Sequence, residues 1–338
     1  MRYLKIIGLS LALWGFASVA GADTLKLVQD RGYVQCGVTT GFPGFSAPDD
    51  KGEWRGLDVD LCRAIAAATL GDASRIKAVP LNAQQRFTAL QSGEIDVLTR
   101  NTSVTLQRDT ALGAMHAGIN FYDGQGFLIA KELGVESATE LDGATICLQT
   151  GTTTENTLAD WARANNIQYT PVAIEQYNEV VNAFIAGRCD VFSTDTSGLA
   201  SLRVSKLSDP EAYKVLPEII SKEPLGPYVR QGDDRWFNVV RWAHQAMLGA
   251  EELGLTSANV DEHLESSSPL VRRFLGVDPG AEKGLGLDPS WAYNIVKQVG
   301  NYGESFERNV GQESPLKIER GLNALWTDGG LMYPLPIR

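Results

Sequence analysis

From Tyr33 onward the chain alternates short apolar runs with segments whose apolar residues recur at helical spacing. Tyr33–Val38 reads as a strand, Val59–Leu70 as a helix, Ile76–Leu81 as a strand, Gln84–Ser92 as a helix, and Ile95–Leu98 as a third strand. Asp58 or Asp60 is placed to begin or cap the first of these helices. Strand–helix–strand–helix–strand predicts an α/β fold in which a parallel sheet carries helices on both faces. Gly126–Ala130 is a further strand, and from Ser137 the pattern starts again. Ala144–Leu148 is a strand, Gly151 to Glu155 a glycine turn feeding a helix to about Asn165, and Tyr169–Val172 a strand. A helix over Tyr177–Ala186 and a strand over Arg188–Phe192 complete the unit. Leu90–Val97 parallels Phe184–Val191: a helix end, a glycine, a charged residue, then a strand with Asp one step in. Two similar α/β lobes follow from this repeat, with Asp96 and Asp190 as structural groups at equivalent turns. Val215–Ile220 reads as another strand, Lys222–Val229 as a return crossing, and Asp233–Gly249 as a long amphipathic helix. Beyond Thr256 the chain becomes short helices and Gly/Pro turns, expected to pack on the first lobe.

In such sheets ligands sit beyond the carboxyl ends of the strands. Two segments there stand out. Phe42-Pro43-Gly44-Phe45 is a stiff loop with two aromatic rings. Leu98–Asp109 is packed with hydroxyls and carries Arg100 and Arg108. A guanidinium binds a carboxylate through two parallel charge-assisted hydrogen bonds, although a solvated turn has the same composition. In the second repeat, Gly151-Thr152-Thr153 begins a helix, and free N–H groups there favour an anion. Asp195, just past a strand, is an acceptor-only group suited to an ammonium.

The first residues bear on compartment. Arg2 and Lys5, the apolar run Ile6–Ala20, and Ala20-Gly21-Ala22 form the three parts of a secretory signal peptide over 1–22, with a retained anchor as the alternative. Its removal takes the formal charge from −11 to −13, which argues against nucleic acid or anionic lipid as a partner. No later stretch is apolar for long enough to enter a bilayer. Cys36, Cys62, Cys147 and Cys189 fall into an early and a middle pair, and an oxidising compartment favours Cys36–Cys62 and Cys147–Cys189. Metal binding competes weakly, since neither Cys-x-x-Cys nor a nearby His pair exists. His116, His244 and His263 are scattered, and there is no Gly-x-Ser-x-Gly elbow and no P-loop. No catalytic residue, cofactor or metal is therefore expected.

Several blocks resemble the periplasmic solute-binding proteins of ATP-binding-cassette (ABC) importers for polar amino acids. They are Gly56-Leu57-Asp58-Val59-Asp60-Leu61, Leu90 to Val97, and Gln149-Thr150-Gly151-Thr152-Thr153. Ser92 to Thr102, Tyr122 to Phe127 and the long tail resemble its general L-amino-acid-binding branch. The resemblance implies a two-lobe periplasmic-binding-protein fold, each lobe a mainly parallel sheet flanked by helices, joined by a two-strand hinge. Lobe 1 would comprise 23–128 and 225–338, and lobe 2 would comprise 129–224. By resemblance Arg108 clamps the ligand's α-carboxylate, and Asn101 and Ser103 contact its head group. Phe42 covers it, Thr152 and Thr153 donate to the carboxylate from a helix start, and Asp195 pairs with the α-ammonium. Thr39 stands where the family often has an acid, which argues against a specialist for cationic side chains. Arg100 replaces a small residue and is placed to reach acidic or polar ligand side chains. The implied function is capture of L-amino acids by a periplasmic monomer that delivers them to an inner-membrane ABC permease. A binder of small peptides such as glutathione is the variant reading; an exported lyase or hydrolase on the same scaffold is the rival.

Overall fold

The structure is a computed structural model and describes residues 23–337; the expected signal peptide at 1–22 lies outside them. Two five-stranded sheets share one plan. From edge to edge the first runs Ile76–Pro80, Val34–Val38, Val97–Leu98, Tyr228–Arg230, Ala114–His116. The second runs Thr170–Ile174, Thr145–Gln149, Val191–Asp195, Gln125–Ala130, Tyr213–Val215. In each sheet the first three strands are parallel and the fourth is antiparallel to both neighbours. The reversed strand is in both cases the one that has just crossed from the other lobe.

The crossings are Phe121–Asp123 and Glu223–Leu225, paired with each other as an antiparallel ribbon. Lobe 1 therefore ends earlier than 128, because Gln125–Ala130 is hydrogen-bonded within the second sheet. The strand expected over Val215–Ile220 is Tyr213–Val215 instead; Pro217 has no N–H to continue the ladder.

Acidic residues at the turns hold each lobe together. Asp96 accepts the Gln35 N–H at 2.7 Å and pairs with Arg31; Asp190 accepts the Thr145 N–H at 2.8 Å and its hydroxyl at 2.6 Å. Each carboxylate ties the turn before the third strand of its sheet, in the edge-to-edge order above, to the start of the second. Neither Asp58 nor Asp60 caps its helix, which spans Leu57–Leu70 behind Gly56. Gly56 lies at φ +129°, where a Cβ would meet the Phe45 carbonyl oxygen at 2.1 Å, so the approach excludes any polar cap residue. Asp58 points instead at the site loop, and Asp60 anchors the C-terminal tail. Asp60 accepts from Ser305 Oγ at 2.8 Å, Arg308 Nε at 3.0 Å and Asn309 Nδ2 at 2.6 Å. The tail thus packs on the first lobe, where helix Trp291–Val299 lies against Leu57–Leu70.

Cys36 is bonded to Cys62, fixing that helix to the first strand, and Cys147 is bonded to Cys189 in the second lobe. The cross-links join residues 26 and 42 apart in sequence. On chain-entropy grounds they restrict the unfolded chain by about 3.5 and about 4 kcal/mol respectively. A Cys147→Ala/Cys189→Ala variant is expected to lose roughly 2–4 kcal/mol of unfolding free energy in urea. An unchanged unfolding midpoint would contradict a structural role for that bond.

Candidate functional site

The carboxyl ends of the parallel strands from both sheets converge on one cleft between the lobes. Val34–Val38 runs into Thr39, Thr40 and Phe42, and Val97–Leu98 runs into Arg100, Asn101 and Ser103, with Arg108 on the helix that follows. From the second lobe come Gln149, Thr152, Thr153 and Thr154 after Thr145–Gln149, Thr194 and Asp195 at the end of Val191–Asp195, and Tyr177. The walls stand close together, and the space between them is small, polar-lined and partly enclosed. The lobes touch at both rims. Ser201 Oγ donates to Pro43 O at 2.9 Å, while Gln84 Nε2 donates to Thr150 Oγ1 at 3.1 Å and Asn82 Nδ2 to Glu175 Oε1 at 2.6 Å.

The lobe 1 wall is cationic. Arg108 Nη1 donates to Ser103 O at 2.9 Å, and Arg100 Nε to Leu81 O at 2.9 Å. Arg86 Nη1 donates to Thr102 Oγ1 at 3.3 Å, Nη2 crosses the cleft to Gly151 O at 3.2 Å, and Nε is buried without a partner. Every acceptor these three use is neutral. Among the described residues none of them pairs with a carboxylate. Burial lowers the pKa of all three; for Arg86 the neighbouring Arg108 and Arg100 push in the same direction, and Arg100 falls to about 10 against the pull of Asp58. Guanidinium remains charged at neutral pH, so the wall presents positive charge that no carboxylate contacts directly among the described residues.

Asp58 supports this wall from behind. Its Oδ2 accepts the Asn101 N–H at 2.7 Å and holds Asn101 at φ +23°. Burial pushes the Asp58 carboxyl up to about 6, opposed by that N–H. Asn101 Oδ1 is left buried without a partner, and the Ser103 hydroxyl makes no hydrogen bond among the described residues. Phe42 stacks on Phe45 at 5.0 Å and meets Tyr177 of the other lobe edge-on at 6.0 Å, so an aromatic pair spans the mouth.

On lobe 2 the Asp195 side chain is 7% exposed and makes no hydrogen bond among the described residues, although it precedes helix Thr196–Lys206. Burial, then the negative charges of Asp123 and Glu223, raise its pKa well above the ordinary carboxylate range. The hydroxyls of Thr152 and Thr153 are already committed, to Gln149 O at 2.8 Å and Glu223 Oε2 at 3.0 Å. What this corner offers a ligand is the first-turn N–H groups of helix Thr153–Ala164, which have no intrahelical acceptor.

The cleft brings together Phe42, Arg100, Asn101, Ser103, Arg108, Thr152, Thr153 and Asp195, all eight residues singled out from sequence. Sequence reasoning missed Arg86 and Tyr177. A signal for Arg86 existed: it is the first residue of helix Arg86–Ser92, where the helix dipole disfavours a cation. A cation at such a place points to a requirement other than helix stability.

Two α/β lobes closed over a polar cleft and joined by a paired-strand ribbon define a bilobal solute-binding protein. The chain belongs to the bacterial extracellular solute-binding proteins, family 3, whose model matches residues 34–255. It is 58% identical to the general L-amino acid-binding periplasmic protein AapJ of Rhizobium johnstonii over 95% of each chain. It is 52% identical to the glutamate/glutamine/aspartate/asparagine-binding protein BztA of Rhodobacter capsulatus, again over 95% of each. Among solved structures, an ABC transporter periplasmic binding protein from Brucella ovis with glutathione bound superposes with a TM-score of 0.92. It is 55% identical and covers 94% of this chain and 100% of its own.

The raised pKa of Asp195 gives a signed pH dependence. Above that pKa the carboxylate is charged and attracts an ammonium; below it the neutral acid does not. Affinity for an ammonium-bearing ligand is expected to fall as the pH is lowered, beginning above the usual carboxylate range. Asp195→Asn should bind weakly and show little of this pH dependence. Calorimetric titrations over a descending pH series check this, and a flat wild-type profile would contradict the assignment.

Proposed function

We propose that the cleft captures an L-amino acid with an acidic or amide side chain in the periplasm and delivers it to an inner-membrane ABC permease. The observation that carries this reading is the charge arrangement: three guanidiniums without carboxylate partners face one carboxylate without a hydrogen bond. A dicarboxylic amino acid is the complementary object, with two carboxylates and one ammonium. Arg108 and the N–H groups at the start of helix Thr153–Ala164 take the α-carboxylate, and Asp195 takes the ammonium. Asn101 and Ser103 supply neutral contacts, Phe42 with Tyr177 closes the mouth, and Arg100 with Arg86 meets the side chain. Charged hydrogen bonds contribute about 1.5–3 kcal/mol each, whereas micromolar binding needs only about −8 kcal/mol net. The names of the relatives agree with this range of ligands.

The family and the relatives, solute-binding proteins throughout, favour capture without chemistry over an exported lyase or hydrolase. No helix among the described residues is long and apolar enough to cross a membrane. The glutathione-bound relative favours one second reading. A small peptide with two carboxylates and one ammonium presents the same charges on a longer frame.

Titration calorimetry of the purified protein against glutamate, aspartate, glutamine, asparagine and glutathione tests both readings. Arg108→Ala is expected to remove binding of every α-amino acid while leaving the melting temperature within a few degrees. Arg86→Gln is expected to weaken the acidic ligands about 10-fold or more relative to their amides, the loss of a charge-assisted contact. Equal losses for acids and amides would refute the Arg86 role. A thermal-shift screen with no response to any α-amino acid would overturn the amino-acid reading.

A further inference from the structure

The family model ends at residue 255, so the chain from 256 onward is added to the shared two-lobe body. This addition grips the ribbon between the lobes at three consecutive residues. Tyr302 Oη donates to Asn120 O at 2.8 Å. Phe306 stacks on Phe121 with centroids 6.0 Å apart and planes within 7°. Asn323 Oδ1 accepts the Tyr122 N–H at 2.6 Å, and Asn323 Nδ2 donates to Tyr122 O at 3.1 Å. The Asn323 amide thus fills both hydrogen-bonding sites on the free edge of strand Phe121–Asp123, as a third strand would.

The other edge of the ribbon is held to lobe 1 as well. The Val104 N–H donates to Pro224 O at 2.8 Å, the Gly226 N–H donates to Thr102 O at 3.1 Å, and Ser103 bridges to Leu225. One residue further along each strand, the contacts change lobe. Asp123 accepts the Thr196 hydroxyl at 2.6 Å, and Glu223 accepts the Thr153 hydroxyl at 3.0 Å, both from lobe 2. Tyr122 pairs with Pro224, and Asp123 pairs with Glu223. Allegiance therefore switches between the same two rungs on both strands.

We propose that the C-terminal extension is a brace that fixes the pivot of the lobes, with Asn323 as its positioning residue. Held from both edges, rung Tyr122/Pro224 moves with lobe 1, and bending is confined to the step before rung Asp123/Glu223. Confinement to one step gives closure one path and brings the arginine wall and Asp195 together in register. The tail is itself tied to the lobe 1 body. Arg320 Nη2 donates to Glu251 Oε1 at 2.8 Å, and Trp326 Nε1 donates to Glu252 Oε1 at 2.6 Å. Without Asn323 the ribbon gains a second place to bend, the ligand-free protein explores wider openings, and the closed state is less populated. The consequence for ligand rests on the amino-acid-capture reading; the consequence for opening does not.

The test compares full-length wild type with Asn323→Ala, Tyr302→Phe and Trp326→Ala, the last removing a tail anchor that does not touch the ribbon. Small-angle scattering of the ligand-free proteins is expected to give a larger radius of gyration for Asn323→Ala and a smaller increase for Tyr302→Phe. Trp326→Ala, which leaves the Arg320–Glu251 tie and all three ribbon contacts in place, should match wild type. With L-glutamate as the probe, Asn323→Ala should raise Kd about 3- to 10-fold through faster release, since a less populated closed state taxes affinity. The glutamate-to-glutamine affinity ratio should stay at the wild-type value. Wild-type scattering and Kd in Asn323→Ala would overturn the brace, and so would a changed affinity ratio, which places the effect in the cleft. Wild type that binds no amino acid overturns the capture reading alone, because scattering without ligand still reads the brace.

Discussion

Repulsion among three buried guanidinium groups is the constraint around which the cleft is arranged. Arg86, Arg100 and Arg108 share one wall, and each is lowered in pKa by its own burial. A fold that paired them with carboxylates would remove the strain and leave nothing for a ligand to satisfy. Here they are held by the Gly151, Leu81 and Ser103 carbonyls and the Thr102 hydroxyl, neutral acceptors that fix direction without cancelling charge. Unpaired buried charge is costly, and an arriving anion recovers part of that cost. The stored field is thus a source of affinity.

The sheet topology keeps the opposite charges apart until closure. Loops at the carboxyl ends of parallel strands form both walls, and the strand repeat makes the two lobes face each other with equivalent ends. Lobe 1 carries the cations. Lobe 2 carries Asp195, with Asp123 and Glu223 close enough to raise its pKa. On the proposed reading a dipolar ligand bridges the two walls, its carboxylates toward one and its ammonium toward the other. Asp58 belongs to the same scheme: it positions Asn101 and attracts Arg100 from behind, yet stays out of the cleft lining.

The fold was legible where periodicity and turns carry the information. The alternation of strands and helices, the repeat around Gly93 and Gly187, and the roles of Asp96 and Asp190 all follow from short local patterns. The cleft residues after strand ends were legible for the same reason, since topology places such loops together. Arg86 offered only the weak signal of a cation at a helix start, and its partner Gly151 across the cleft lies 65 residues away. Asp58 and Asp60 look alike in sequence as residues near a helix start. Only long-range packing sends one to the site loop and the other to Arg308. The early end of lobe 1 was likewise hidden, because Tyr122 to Phe127 is continuously extended and the change of sheet depends on which strand pairs with it.

The rim contacts bear on how the closed form is held. Three hydrogen bonds join the lobes outside the cleft, from Ser201, Gln84 and Asn82. Each contributes about 0.5–1.5 kcal/mol net, because the same groups bond to water when the lobes part. A ligand shifts the balance of open and closed forms by the difference between its contacts in the two. An anion touching only Arg108 would bind nearly as well to an open lobe 1 and shift little. A ligand that also reaches Asp195 and the first turn of helix Thr153–Ala164 gains those contacts only on closure. On the proposed reading, discrimination by this cleft depends on the ammonium and on the second lobe: the arginines supply the attraction, and Asp195 couples it to closure.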